Sequence, residues 1–378
     1  MLYRRFGRLD WAASALGFGA MRLPTIGGDE ANIDEAQAVR MIRYAIDHGV
    51  NYVDTAYGYH RGKSEVIVGK ALQDGYRHRV RIATKMPVWK IRSKEDMDKY
   101  LLEQLSRLQV DYVDFYLLHA LHGRAWSKMK RLHVQDWLEK KLAEGKIRHV
   151  GFSFHDEYAV FKKIIDDYDK WDFCQIQYNY ADENYQAGTQ GLKYAASKGL
   201  AVVIMEPIAG GKLAIKPADS IQTLWNKMPT KRSPAEWALR WVWNHPEVSV
   251  VLSGMRTMSQ VVENVESADH SLPCSLTEEQ LAIIDRVRRK YKKLGLISCS
   301  GCRYCMPCPQ GVNIPELLAF YNEYYVKNEA EEVKGRYQKL IPAENRAKKC
   351  VRCGRCEEIC PQKLPIRELL AEAAFVLE

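Results

Sequence analysis

The chain has 378 residues, more than one compact domain usually needs, so two domains are the first expectation. With 47% hydrophobic and 27% charged residues it can bury a large core, and a net charge of +9 is too mild and diffuse to point to nucleic acid. No run approaches the roughly 18 consecutive apolar residues of a membrane span. The opening MLYRRFGRLD lacks the apolar stretch of a signal peptide, so no membrane span and a reducing, cytoplasmic setting are expected.

Up to about residue 290, short β-rich runs alternate with helical patterns. Strands are expected at 15–20 (ALGFGA), 52–56 (YVDTA), 80–85 (VRIATK), 113–119 (VDFYLLH), 149–154 (HVGFSF), 173–179 (FCQIQYN), 201–207 (AVVIMEP) and 248–254 (VSVVLSG). Most are continuous apolar runs, which suits parallel strands covered on both faces. His48-Gly49 and Lys198-Gly199 read as helix stops. Ser93 with Asp96 opens a helix, and Ser233-Pro234-Ala235-Glu236 is a capping box with proline at the first helical position. Thr277 with Gln280 caps a further helix reaching Lys293. Eight strand–helix pairs over roughly 250 residues is the arithmetic of a (β/α)8 TIM barrel. An open doubly wound sheet is the alternative, but no GxGxxG follows the first strand.

The ten cysteines are unevenly placed. Cys174, inside an apolar strand, and Cys274, beside a proline, read as inert thiols. The other eight fall between Cys299 and Cys360. Cys350, Cys353, Cys356 and Cys360 have the C-x2-C-x2-C-x3-C-P spacing of a ferredoxin-type [4Fe–4S] run. Cys299, Cys302, Cys305 and Cys308 repeat it, one residue shorter before the last cysteine. In two-cluster ferredoxins the fourth cysteine ligates the other cluster. The preferred pairing therefore joins Cys299, Cys302 and Cys305 with Cys360, and Cys350, Cys353 and Cys356 with Cys308. Zinc is the alternative, but its two CxxC pairs are usually separated by a longer stretch.

The run CPQGVNIPELLA (308–319) matches CPQKLPIRELLA (360–371) at eight of twelve positions, so each cysteine group is followed by one copy of a helical unit. The stretch between the copies, 317–340, is also helical in pattern. Residues 296–378 are therefore expected to form a small all-helical, dicluster ferredoxin-like domain behind a barrel of residues 1–295. The tail holds 12 Lys+Arg and 11 Asp+Glu, so nearly all the positive charge belongs to the barrel.

In a barrel of this kind chemistry sits at the C-terminal strand ends. Those positions hold Asp54 and Tyr59, Lys85, His119 and Ser153. A phenol has an ordinary pKa of about 10, which a neighbouring ammonium lowers, and a carboxylate fixes that ammonium. Each residue alone has an ordinary structural explanation; together they suggest proton transfer. Trp89, Trp126 and Tyr57 fall in the mouth loops, where they could wall a substrate pocket or simply pack. His60, His122 and His155 lie near the same rim without an assigned role.

The segments NYVDTAYGYHRGKSE (51–65), IATK (82–85), DFYLLH (114–119) and GFS (151–153) resemble the aldo-keto reductases, over about residues 1–290. The tail is similar to that of a branch carrying a C-terminal dicluster ferredoxin domain. The resemblance implies Tyr59 as general acid, Asp54 and Lys85 as the pair tuning it, and His119 as the group orienting the substrate carbonyl. It implies hydride exchange between NADP or NAD and a small aldehyde, ketone or alcohol. For the cofactor it implies Ser153, with Phe154 where the family has asparagine, and Gln175 as the amide-binding glutamine. Met205 stands where a stacking tyrosine is usual, and Glu263 and Asn264 match the adenine-side contacts. Gly254 and Gln260 replace the usual cations for the 2′-phosphate, for which Arg256 is the substitute. Gly210 and Gly211, before Lys212, offer backbone amides to a pyrophosphate or form a plain turn.

Hydride chemistry moves two electrons and a [4Fe–4S] cluster one, so the two clusters are either an electron relay to a ferredoxin-like partner or structural staples. The competing class is an electron-transfer protein that retains a reductase barrel without turnover, motivated by Phe154 and Met205.

Overall fold

The computed structural model describes residues 1–215, 217–326 and 330–378; Lys327, Asn328 and Glu329, within the stretch expected to be helical, lie outside the described residues. Among the described residues there are ten strands: β1 (Tyr3–Arg5), β2 (Ala12–Ser14), β3 (Leu16–Gly19), β4 (Tyr52–Asp54), β5 (Arg81–Met86), β6 (Val113–Leu121), β7 (Ile147–Phe154), β8 (Phe173–Gln177), β9 (Ala201–Met205) and β10 (Val248–Ser253). From β3 to β10 all neighbours pair in parallel, and β10 pairs with both β9 and β3 to close an eight-stranded barrel. All eight coincide with the expected apolar runs. Their side chains are almost wholly buried because helices cover the outer face and the barrel fills its own interior.

The helix punctuation acts as the residue types require. Asp96 accepts from the Ser93 amide at 3.1 Å, Ser233 Oγ from the Glu236 amide at 3.0 Å, and Thr277 and Gln280 cap each other's backbone. Gly49 (φ 96°) and Gly199 (φ 76°) take the left-handed turn that ends each helix.

A feature with no expected counterpart is the antiparallel hairpin β1–β2. It carries Phe6, fully buried against Phe115 (ring centroids 4.7 Å), Tyr52 and Phe173, residues near the beginnings of their strands. The hairpin thus plugs the N-terminal end of the barrel and leaves chemistry to the opposite end. Burying one such ring stabilises by about 1.5–3 kcal/mol.

The chain forms two compact units. One comprises Met1–Pro207 and Leu239–Leu276, the other Ile208–Ala238 and Thr277–Glu378. The second unit therefore takes in residues 208–238 and the helix Glu278–Lys293 as well as the cysteine-bearing tail. Within it, helices Ile314–Val326, Ala330–Leu340 and Ile366–Leu377 surround a core of Ile314, Leu317, Leu318, Val333, Tyr337, Ile366 and Leu370. Ile314 and Leu318 of the first repeat copy and Ile366 and Leu370 of the second fill equivalent buried places. Among the described residues no helix is long and apolar enough to cross a membrane.

Candidate functional site

Four strand ends bring the proton-transfer set together in the first unit. Lys85, fully buried, donates through Nζ to Asp54 Oδ1 and Oδ2, both at 2.7 Å, and to the Thr55 carbonyl at 2.8 Å. Burial pushes the Lys85 ammonium down and the Asp54 carboxyl up, and each charge pulls the other back. Lys85 Nζ lies 4.9 Å from the centre of the Tyr59 ring. The Tyr59 ring meets His119 edge-on at 5.9 Å, and Trp89 covers His119 at 5.1 Å.

Local backbone geometry holds these groups in place. Tyr59 is followed by two non-glycine residues in the left-handed region, His60 (φ 50°) and Arg61 (φ 54°), a costly conformation that needs outside support. His60 supplies it: Nδ1 donates to the Glu30 carbonyl at 2.9 Å, and Nε2 accepts from the Leu23 amide at 3.0 Å. His119 lies where the β6–β7 register shifts between Leu118 and Leu121, next to Ala120 at φ 53°. Such a bulge re-aims one side chain. It is pinned by the Ala120 amide donating to Ser153 Oγ at 2.7 Å.

Burial, then the Lys85 and His155 charges, push His119 well below its ordinary pKa, so it is a neutral imidazole at pH 7. His155, half-buried and bonded through Nδ1 to Gln186 Oε1 at 3.2 Å, is pushed down to about 4, mainly by burial. Both histidines bind protons more readily unfolded than folded. Their contribution to stability is therefore full above about pH 6.5 and declines as pH falls towards the folded values. After discounting for the partial exposure of His155, the barrel is expected to lose on the order of 1 kcal/mol between pH 7 and pH 5. Urea denaturation followed by tryptophan fluorescence measures this; His155→Gln should flatten part of the slope, and an unchanged midpoint would refute it.

A second buried network, which sequence reasoning missed, stands behind Lys85. Glu65, fully buried, accepts from Thr84 Oγ1 (2.6 Å), Gln104 Nε2 (2.7 Å) and Arg107 Nη1 (3.2 Å). Gln104 also donates to the Lys85 carbonyl at 3.0 Å and accepts from Tyr116 at 2.8 Å. Thr55 and Ser64 hydroxyls bond at 2.8 Å. Glu65 closes the segment NYVDTAYGYHRGKSE, but its burial on the helix Ser64–Ala71 is visible only in the folded chain.

The nicotinamide-side residues fit a carboxamide. Ser153 Oγ, accepting from Ala120, keeps its own proton to donate to an amide oxygen. Gln175 donates through Nε2 to Met205 Sδ at 3.5 Å, while its Oε1 is buried without a protein partner, an acceptor matched to an amide N–H. Phe154 does not face this site; it is buried against Phe161, ring centroids 5.0 Å apart. Of the residues expected to meet the adenine end, Asn264 donates to Ser253 Oγ at 2.9 Å, and a Cβ at Gly254 would come within 3.1 Å of the Arg22 side chain. Arg256 is exposed, and its amide donates to Gln260 Oε1 at 2.8 Å, beside the helix Met258–Ala268 that Thr257 caps. Trp126 is core rather than pocket wall, donating to Asp167 at 2.8 Å.

Gly210 and Gly211 fall in the second unit. The amides of Gly211 and Lys212 bond within the turn to Ile208 and Ala209, and Lys212 Nζ donates to the Ile297 carbonyl. Gly210 has φ 71°, and a Cβ there would meet the Ser300 carbonyl oxygen at 2.3 Å, so close packing within this unit requires glycine.

In the same unit Cys308, Cys350, Cys353 and Cys356, with Cys305, line one cavity of about 220 Å³. Cys305 is pushed up by burial, then by Cys302, Cys299, Cys360 and Cys356, so members of both cysteine groups act on it. Among the described residues no group of three or more His, Cys, Asp or Glu side chains is arranged to hold a metal ion. The backbone repeats with the sequence: Gly301 and Arg352, Arg303 and Gly354, and Gly311 and Lys363 are left-handed at equivalent places. Left-handed residues between right-handed ones turn successive amides towards an anion, and the Arg352 amide donates to Cys350 Sγ at 3.4 Å. Cys174 is buried, its thiol pushed up by burial, and Cys274 is exposed.

Comparison with known proteins agrees with this fold. The aldo/keto reductase family model matches residues 15–289, and a 4Fe-4S dicluster domain matches 298–364. An uncharacterised oxidoreductase of Bacillus subtilis is 28% identical over 314 residues, covering 74% of this chain and 94% of that protein. An L-galactose dehydrogenase of Arabidopsis thaliana is 28% identical over 77% of this chain and 95% of its own. Among solved structures, the holo form of an aldo-keto reductase from Bacillus halodurans superimposes with a TM-score of 0.62 at 28% identity, covering 76% of this chain and 96% of that one. An aldo/keto reductase from Klebsiella pneumoniae in complex with NADP and acetate gives 0.62 at 28%, covering 76% and 95%. The chain belongs to the aldo/keto reductase family and is an oxidoreductase of that family with a C-terminal 4Fe-4S dicluster domain.

Proposed function

We propose that the protein interconverts a small carbonyl compound and its alcohol with NADP or NAD. The observation that carries this reading is the buried Lys85, held by both oxygens of Asp54 and placed 4.9 Å from the Tyr59 ring. When bound, the nicotinamide supplies a hydride to the carbonyl carbon or takes one from the alcohol. Tyr59 gives its phenolic proton to the carbonyl oxygen, so that hydride plus proton complete the alcohol. Lys85 stabilises the phenolate left behind, and Asp54 fixes Lys85 against movement. His119, neutral, orients the carbonyl oxygen by hydrogen bonding, and Trp89 shields it from water. Ser153 and Gln175 hold the carboxamide, Met205 packs on the ring through its polarisable sulfur, and Gly254, Arg256, Glu263 and Asn264 serve the adenosine phosphate end.

Anaerobic protein titrated with NADPH and NADH should show saturable quenching of its fluorescence; no saturation with either would overturn the reading. Gln175→Leu removes the buried acceptor without changing the side-chain size much, and cofactor affinity should fall about tenfold, the worth of one such hydrogen bond. An unchanged dissociation constant would remove Gln175 from the site.

The reading also assigns two [4Fe–4S] clusters to the tail, one on Cys299, Cys302, Cys305 and Cys360, the other on Cys308, Cys350, Cys353 and Cys356. The cavity lining supports the second set, and the position of each fourth cysteine, set before a proline, supports the crossed pairing. The two family matches support a reductase domain of residues 1–295 and a cluster domain of 296–378. Thiolate ligands of this kind suit a reducing compartment, in keeping with a cytoplasmic protein.

A further inference from the structure

The surface around the second thiol set is strongly basic. Residues 346–355, RAKKCVRCGR, hold five cationic side chains and no acidic one. Lys348, Lys349, Arg352 and Arg355 are exposed around Cys353, itself exposed, while Cys350 and Cys356 are partly covered. Val351 and Ile359 are 61% and 49% exposed, and both line the cavity shared by Cys308, Cys350, Cys353 and Cys356. The nearest acids leave this balance positive: Glu357 is held by Arg367 at 2.7 Å, Glu378 lies 3.9 Å from Lys348, and Glu358 is exposed at the edge. A cluster with four thiolates adds only about −2.

We propose that this face docks an acidic one-electron carrier protein, which exchanges electrons with the cluster at Cys308, Cys350, Cys353 and Cys356. The inference rests on the ligand set proposed above. Two apolar side chains beside the redox site, rimmed by cations, fit a transient contact whose partner is steered by opposite charge and makes little specific packing. Cys353 is the exposed ligand and places the cluster edge at the surface, where transfer requires no opening of the fold. The step balances one for one: the carrier's centre loses one electron as the [4Fe–4S]2+ core becomes [4Fe–4S]+, or the reverse, with no bond made or broken.

The test mixes the full-length, cluster-loaded protein with an acidic ferredoxin, each partner reduced in turn, and follows cluster absorbance by stopped flow. Charge steering predicts a second-order rate that falls on the order of tenfold as salt is raised from low to several hundred millimolar. The double variant Lys348→Glu/Lys349→Glu should lower the low-salt rate about tenfold with its cluster absorbance intact. Lys348→Gln/Lys349→Gln, a milder change, should give an intermediate rate and serves if the reversal disturbs loading. A rate indifferent to salt and to both variants, no exchange in either direction, or equal rates with a basic carrier would each overturn the docking proposal. Absence of cluster absorbance and of a reduced-cluster paramagnetic signal in the wild-type protein would overturn the ligand assignment as well, so the two failures are told apart.

Discussion

Tyr59→Phe should lower carbonyl reduction by about 100- to 10,000-fold, the range for removing a positioned general acid. Only the hydroxyl is lost: the ring remains to pack beside Lys85, 4.9 Å from its centre, and against His119. The Asp54–Lys85 pair does not depend on the phenol, because Lys85 makes its three hydrogen bonds to Asp54 and Thr55. Cofactor affinity should therefore stay within about twofold, and the loss should appear in kcat, as expected for a group acting in the transition state. A Tyr59→Phe enzyme retaining more than about a tenth of wild-type turnover would rule out the phenol as the acid. Comparable losses in kcat and cofactor binding together would point to a disturbed mouth instead.

The second large effect separates two ways of wiring the tail. If each cluster takes its fourth ligand from the other cysteine group, Cys360→Ala and Cys350→Ala disable different clusters, and the double variant loses both. If Cys360 serves the cluster of Cys350, Cys353 and Cys356, the double variant loses one cluster and keeps about four of the roughly eight irons. Iron and sulfide analysis of anaerobically purified protein, with paramagnetic resonance of the reduced samples, distinguishes the two. Crossed wiring is expected because Cys308 lines the cavity of Cys350, Cys353 and Cys356. The double variant should also unfold more readily, because the tail's core is a small set of side chains with six of the cysteines packed against it.

The barrel was legible because strands buried on both faces must be apolar throughout, and the runs from ALGFGA to VSVVLSG are. The hairpin was not: Tyr3–Arg5 and Ala12–Ser14 are three residues each, and YRR carries no apolar signal. Asp54, Tyr59, Lys85 and His119 could be read from their positions at strand ends, since parallel strands deliver those ends to one mouth. Glu65 could not be singled out, because its partners Thr84, Gln104 and Arg107 lie 19, 39 and 42 residues away and meet it only in the folded barrel. Phe154 shows the reverse case. In the sequence it reads as the loss of a cofactor-binding partner, and alternation along β7 turns it into the helix layer beside Phe161. The glycine pair at 210–211 reads as either a phosphate turn or a plain turn; what the sequence does not show is the close approach of Ser300 to Gly210, made 90 residues later in the chain.

The path of the chain also bears on how the molecule is made. Between β9 and β10 it leaves the barrel unit, contributes Ile208–Ala238 to the other unit, and only then returns to supply the strand that closes the barrel. The partners of that excursion, among them Ile297, Ser300 and the helix Glu278–Lys293, are translated after the closing strand. Residues 208–238 must therefore wait for the ribosome to deliver the C-terminal quarter before they can settle. Completion of the barrel strand order and settling of the inserted segment are thus separated in time by the order of the chain. Cutting the chain after residue 295 keeps the helix Glu278–Lys293 but removes Ile297 and Ser300, so single cysteine replacements are the cleaner way to probe the tail.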